Sequence, residues 1–487
     1  MRAGNISSPA DASTLPGAAE PSARSAGGPT ESPARPKASF EAGLELEGAR
    51  TLDWKEVRKH STCEDLWVVI DDEVYDVTEW AAEHPGGREM LLKLGGMDAS
   101  DPFHGFHLPR VLGRLARFRV GSLSAEAVLE SAPSGATQAY RKLRARLWRE
   151  GWFKVDHSFY VGRHAIWMGL IASGIAVALC GPGGWGAAAL GGALVGLGIQ
   201  QSAFIAHDAA HRGVIPSRPG GGFNFLAWAL GGPIFGASMG MWNEEHNLHH
   251  AVTMRLHEDP QFDYLPIWLT SEREVTLGGY SLDWLGSVLI PIQHFTFLPV
   301  SILVGRVTFH LISFIHASKA ALFGHNSMVR FEGAMDVAGM LVYWMWYSFV
   351  VSSLPTAAER TAFVLCNVLC VGILHVQLLL SHLAMERFTA EEEQQMGFFE
   401  SQLRTSRNID APTWLDNVFH GGLEYQIEHH LFPMLPRHNF ARAKPLVKEI
   451  CDKHGITYHS SSFPNAIALC LADLRRLATA VVTLEMG

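Results

Sequence analysis

Eight histidines in this chain have types and spacings suited to metal chemistry. Seven form three short clusters: His207-Asp208-Ala209-Ala210-His211, His246-Asn247-Leu248-His249-His250 and Gln426-Ile427-Glu428-His429-His430. His382 stands alone between the second and third. Neutral imidazole is a common nitrogen ligand for iron, zinc and copper. Histidines at i and i+4, or at i, i+3 and i+4, share one face of a helix. The set exceeds what one tetrahedral zinc takes and suits two metal ions in a shared pocket. His157, His164, His294, His310 and His316 lack such company and read as core or interfacial residues.

Such clusters need elements to carry them, and each borders a long apolar stretch. No charged residue lies between Arg163 and Asp208, which is room for two helical spans of ~20 residues each, broken at Gly181-Pro182-Gly183-Gly184. A second uncharged pair runs from Val337 to Ala358 and from Thr361 to Met385, with Glu359-Arg360 at the turn. Four spans are thus expected, at about 164–180, 185–206, 337–355 and 361–381. Arg141, Lys142, Arg144, Arg146 and Arg149 precede the first span, whereas both short turns are nearly free of Lys and Arg. The positive-inside rule then puts the N-terminal part in the cytosol. Gly169 with Ser173, and Gly192 with Gly196, are small residues four apart that let helices approach closely in lipid.

The stretch from Trp284 to Gly305 is apolar enough to span, but Pro291, Gln293, His294 and Pro299 interrupt it. Four spans bring all three clusters to one side, while a fifth here would separate His429 and His430 from His207. This stretch is therefore expected to be interfacial or re-entrant, as is the apolar run from Phe223 to Met241.

A different composition marks Thr51 to about Gly121. Leu66-Trp67-Val68-Val69-Ile70 and Val74-Tyr75-Asp76-Val77 read as short strands around an Asp71-Asp72 turn. His84-Pro85-Gly86-Gly87 places an imidazole at a turn whose glycines let the backbone lie close to a flat cofactor, and a second imidazole can close from the other side. Two axial histidines leave iron no open position, which favours electron transfer. With Trp54-Lys55-Glu56-Val57, Asp65-Leu66-Trp67 and Gly96-Met97-Asp98-Ala99, these residues resemble the cytochrome b5 family over roughly seventy residues. The resemblance implies a b-type haem held by His84 and His107, with His104 a competitor that fits the family pattern less well.

The order HxxxH, HxxHH, QxxHH between apolar spans resembles the membrane fatty-acyl desaturases. The fused cytochrome b5-like domain and Gln426 in place of a histidine narrow this to the front-end desaturases, whose third box Gly421-Gly422-Leu423-Glu424-Tyr425-Gln426-Ile427-Glu428-His429-His430 resembles almost throughout. The resemblance extends over about residues 51 to 460. It implies two iron ions held by His207, His211, His246, His249, His250, His382, His429 and His430, with Gln426 in the catalytic shell. It also implies O₂, a polyunsaturated fatty acyl substrate carried by coenzyme A or phospholipid, and a cis double bond inserted on the carboxyl side of an existing one, at Δ5, Δ6 or Δ8. Electrons would come from an NADH-cytochrome b5 reductase, for the chain has no GxGxxG fingerprint of its own, and the setting would be the endoplasmic reticulum membrane. A sphingolipid Δ8 desaturase or a related membrane hydroxylase shares these marks. The soluble carboxylate di-iron bundle needs Glu-x-x-His pairs, and no Glu here is followed three residues later by His.

The expected architecture is an α+β cytochrome b5-like domain fused to an all-α membrane domain of four transmembrane helices with a cytosolic di-iron histidine cap. Residues 1–48, rich in Ala, Pro, Ser and Gly, read as disordered. They contain no secretory h-region, and Asp11, Glu20 and Glu31 argue against a plastid transit peptide. The haem domain is expected over 49–122, a Ser-, Ala- and Gly-rich linker over 123–140, the membrane domain over 141–465 and a tail over 466–487. Net charge is −9 over 487 residues, with basic residues scattered rather than striped, which excludes a nucleic-acid footprint. The six cysteines form no CxxC or disulfide framework, as expected of a chain facing a reducing cytosol.

Overall fold

The computed structural model describes residues 50–215, 222–262, 267–276 and 284–486. The disorder expected of 1–48 lies outside the described residues. The first domain is a five-stranded sheet in the order β1-β5-β4-β3-β2, from β1 (Arg50–Leu52), β2 (Ser61–Thr62), β3 (Asp65–Ile70), β4 (Glu73–Asp76) and β5 (Arg119–Leu123). Asp71 and Asp72 both take positive φ, 52° and 67°, which closes the tight β3–β4 hairpin read from the sequence. Two short helices, α1 (Arg88–Lys93) and α2 (Ser100–Phe106), cover one face of the sheet.

The segment expected to be a linker is instead folded. Ser124 caps α3 (Ala125–Glu130) and Ser134 caps α4 (Gly135–Arg149), each side chain accepting from the backbone N–H three residues on. Serines read as linker composition are helix caps here. Tyr140 and Leu147 on α4 are fully buried against Phe399, Leu431 and Phe432. The expected tail is likewise folded: α14 (Phe463–Met486) buries Ala466, Cys470, Leu474, Leu477 and Val481.

Four long apolar helices match the four expected spans with ragged ends: α5 (His157–Cys180), α6 (Gly184–Ala210), α9 (Ser327–Ser352) and α10 (Ala357–Leu380). The backbones of α6 and α10 touch. A Cβ on Gly192 would collide with the Phe363 carbonyl, and one on Gly196 with that of Asn367, whereas Gly169 faces nothing within 4 Å. Gln200 donates to Gln377 across this contact at 2.8 Å. At the far end Glu359 accepts from the Gly184 N–H at 2.8 Å, so both short turns meet at one end of the bundle.

Among the described residues a fifth helical stretch, α8 (Leu285–Phe323), is also long and apolar enough to cross a membrane. Its contacts place both flanks at the histidine end. Gln293 accepts from Leu269 N–H and donates to the Leu474 carbonyl, both at 2.8 Å. Near the other flank His316 lies 3.2 Å from Glu244, and Asn326, just beyond α8, donates to Glu83 of the haem domain at 2.9 Å. Between these flanks α8 contains Pro299 and a π-helical turn, Val300–Val304, where it presses its backbone onto Gly372 of α10.

Candidate metal centre and haem cleft

The three clusters converge. The first ends α6, the second lies on α7 (Met239–Ala251) and the third forms α12 (Gln426–Leu431). Asp208 accepts from Tyr160 and from Arg437, both at 2.9 Å, which fixes the first cluster. Ser238 caps α7 and donates to Asp336 at 2.6 Å. Asn408 and Tyr458 both donate to Glu428, and Tyr140 donates to the Leu431 carbonyl, tying down α12.

The imidazoles form two groups. His207, His211, His246 and His429 make one, and His249, His382 and His430 the other, with ligand atoms in each group within 4.8 Å of one another. His250 sits between them, its ring centre 4.5 Å from that of His429 and 4.1 Å from that of His430. In the second group every Nδ1 is tied outward. That of His249 donates to Asp259 at 2.8 Å, that of His382 to the Thr405 carbonyl at 2.8 Å and that of His430 to Gln402 at 2.9 Å. Each Nε2 therefore turns inward as the lone-pair nitrogen, the tautomer a metal ligand needs.

Burial pushes His246, His250, His429 and His430 well below the usual imidazole range and His382 down to about 3. All are neutral at pH 7. The residues fit metal ions on two further counts. His246 Nε2 lies 3.1 Å from Nε2 of both His207 and His250, the edge expected between nitrogens that each sit about 2.0–2.1 Å from one ion. Buried nitrogens of His211, His249, His250 and His429 lack any hydrogen-bond partner, a cost that coordination removes.

Gln426 belongs to the second group. Its carboxamide lies 3.0 Å from His382 Nε2 and 3.1 Å from His430 Nε2, with Oε1 buried and unpartnered. A 180° turn of the amide would present that oxygen to the same point.

In the first domain His84 and His107 face each other across a cavity of about 340 Å³, ring centres 6.0 Å apart. Two rings each about 2 Å from a shared iron need roughly that separation. Nδ1 of His84 is held by the Gly87 carbonyl at 3.1 Å and that of His107 by the Phe103 carbonyl at 2.9 Å, leaving each Nε2 to the cavity. Burial holds both imidazoles below the ordinary range, His107 at about 4. His104 pairs instead with Asp71 at 2.8 Å, outside this arrangement.

The fatty acid desaturase family model matches residues 183–462, and the cytochrome b5-like heme/steroid binding domain model matches residues 53–124. The chain belongs to the fatty acid desaturase family. A Delta(8)-fatty-acid desaturase of Helianthus annuus is 32% identical, over 89% of this chain and 92% of its own length. An acyl-lipid (9-3)-desaturase of Borago officinalis is also 32% identical, over 87% and 92%. A Delta 8-(E)-sphingolipid desaturase of Kluyveromyces lactis is 35% identical, over 58% of this chain and 50% of its own. This desaturase is a membrane oxidoreductase of the front-end type, with a fused cytochrome b5-like domain that binds haem. It acts on a fatty acyl substrate with O₂ and electrons.

Sequence reasoning missed Asp259, Gln402, Thr405 and Gln261, whose carboxamide lies 2.9 Å from His246 Nδ1. None of them left a local signal: Asp259 sits among Arg255, His257, Glu258 and Asp263, where one more carboxylate does not stand out.

Proposed function

We propose that this desaturase inserts a cis double bond between the carboxyl end and an existing double bond of a polyunsaturated acyl chain, at Δ5, Δ6 or Δ8. The observation that carries the reading is Gln426 beside His382 and His430, in a chain with its own haem cleft. His207, His211, His246 and His429 would hold one iron, and His249, His382 and His430 with Gln426 a second, His250 lying between. His84 and His107 would hold a b-type haem. The irons supply oxygen activation, and the haem supplies one-electron transfer.

The chain's own residues do the rest. Asp259, Gln402 and the Thr405 carbonyl orient the imidazoles. Burial keeps His382 and His430 neutral and keeps bulk water from the site. The apolar helices beneath the cap let an acyl chain reach it from lipid. Electrons would enter from an NADH-cytochrome b5 reductase, at the cytosolic face of the endoplasmic reticulum membrane, with four spans below. The carrier is coenzyme A or a phospholipid.

Expression in a host without polyunsaturated fatty acids, fed C18, C20 and C22 polyunsaturated acids, tests the reading by product analysis. One new bond on the carboxyl side is expected. Apolar pockets discriminate by only about 1–3 kcal/mol per methylene, so neighbouring chain lengths should also react. A bond on the methyl side would overturn it. A sphingoid product would favour the second reading, which the Kluyveromyces relative motivates.

A further inference from the structure

The haem cleft does not open to solvent alone. Its wall includes Ala210, His211, Asn243, Asn247 and Met434 of the membrane domain. The residue preceding His107 is Phe106, the last of α2, and its ring lies between the two centres. It is 5.9 Å from the His250 ring at 87°, an edge-on contact, and 6.4 Å from the His211 ring at 28°. His211 belongs to the first imidazole group and His250 lies between the groups. One aromatic ring thus joins the chain at a proposed haem ligand to two imidazoles of the proposed metal centre.

The placement is built rather than incidental. Asp101, five residues earlier on α2, is buried and accepts from Arg141 at 2.8 Å and from Arg144 at 3.0 Å, both on α4. Arg255 reaches the Lys93 carbonyl at the end of α1. Leu248, Ala251 and Val252 join one apolar cluster with Leu66, Met90 and Leu94.

We infer that Phe106 is the positioning residue for electron passage from the haem domain to the metal centre. The inference rests on the haem and metal assignments proposed above. In each passage one electron leaves a ferrous haem, which becomes ferric, and enters the metal centre. Two passages, with one O₂ and two protons, convert one –CH₂–CH₂– unit to –CH=CH– and release two waters. The reductase returns the haem to the ferrous state twice per turnover. An aromatic ring with its centre 5.9 and 6.4 Å from two imidazole rings gives shorter through-space gaps than an aliphatic side chain would.

The test follows the haem and not the product. Full-length holoprotein is reduced anaerobically, then mixed with O₂ and acyl substrate while haem absorbance is recorded by stopped flow. His249→Ala, which lacks a proposed iron ligand, sets the background rate at which O₂ oxidises the haem directly. Phe106→Leu should keep the haem spectrum and iron content but slow reoxidation about tenfold or more, the scale on which small misplacements of reacting partners act. Phe106→Tyr should restore a rate near that of the unaltered chain. First-order rates come from haem-loaded molecules alone, so partial loading leaves them unaffected, and Phe106→Met serves the same contrast if the leucine variant binds no haem. Reoxidation of the aliphatic variant at the unaltered rate, or no recovery with tyrosine, overturns the role of Phe106. An unaltered rate in His249→Ala would instead overturn the metal assignment beneath it.

Discussion

At the scale of single residues, the competing histidines of the haem loop make a sharp contrast. His107 faces His84 across the cavity, while His104 is engaged by Asp71. His84→Ala or His107→Ala should abolish a low-spin b-type absorption spectrum, and His104→Ala should leave it intact. Loss of the spectrum in His104→Ala would reverse the assignment. The histidine cap allows a similar separation, because its proposed ligands lie outside the haem fold. His207→Ala, His249→Ala and His430→Ala should each eliminate turnover with the haem spectrum unchanged. Asp259→Asn removes the carboxylate that holds His249 Nδ1, and losing such a partner costs about 10–100-fold in metal affinity or activity. Iron content at limiting supply measures that loss, and an unchanged value would show Asp259 to be dispensable. The convergence of seven of these imidazoles was legible in the sequence because they repeat at helical spacings, whereas His382 had only its place at the end of an apolar run. Asp259, Gln402 and Thr405 were not, because their partners His249, His430 and His382 become neighbours only when the chain folds.

Among the elements, the long apolar helices were legible from uncharged length alone, and their ends were not, since polar first turns such as His157-Ser158 belong to the helix. The folded state of 123–140 was hidden because Ser and Ala serve caps and helices as readily as linkers. The α8 stretch is the instructive case. Its hydropathy qualifies it as a span, yet Gln293 is bonded to Leu474 at one flank, and Asn326 reaches Glu83 just past the other. Those contacts set its ends beside the C-terminal helix and the haem domain, and an insertion experiment reads which side of a membrane they face. Glycosylation acceptor sites inserted at Gly183 and at Thr356 should be modified in microsomes, and one inserted at the 324–326 turn should not. Modification at 324–326 would mean that α8 crosses the bilayer.

For the whole molecule, the haem domain is seated on the membrane domain rather than tethered beside it, a relation no local pattern announced. Asp101 and Arg144 look like ordinary surface charges in the sequence, but their pairing is buried. A tether would raise the local concentration of an electron donor to about millimolar for a short flexible linker. A seated domain does more, because it fills the approach to His211 and His250 whether or not it carries haem. This separates two expectations for a chain whose own haem is removed by His84→Ala. Were the domain a mobile carrier, a soluble reduced cytochrome b5 at tens of micromolar would reach the cap and restore turnover. With α1 packed over α7 and Gly105 of α2 backed by Pro433, the added protein meets an occupied surface. Turnover of the His84→Ala chain, measured as product per iron with reductase and NADH in excess, should stay near background at every concentration of added cytochrome b5. Saturable recovery to the unaltered rate would mean that the haem domain leaves its seat during the catalytic cycle.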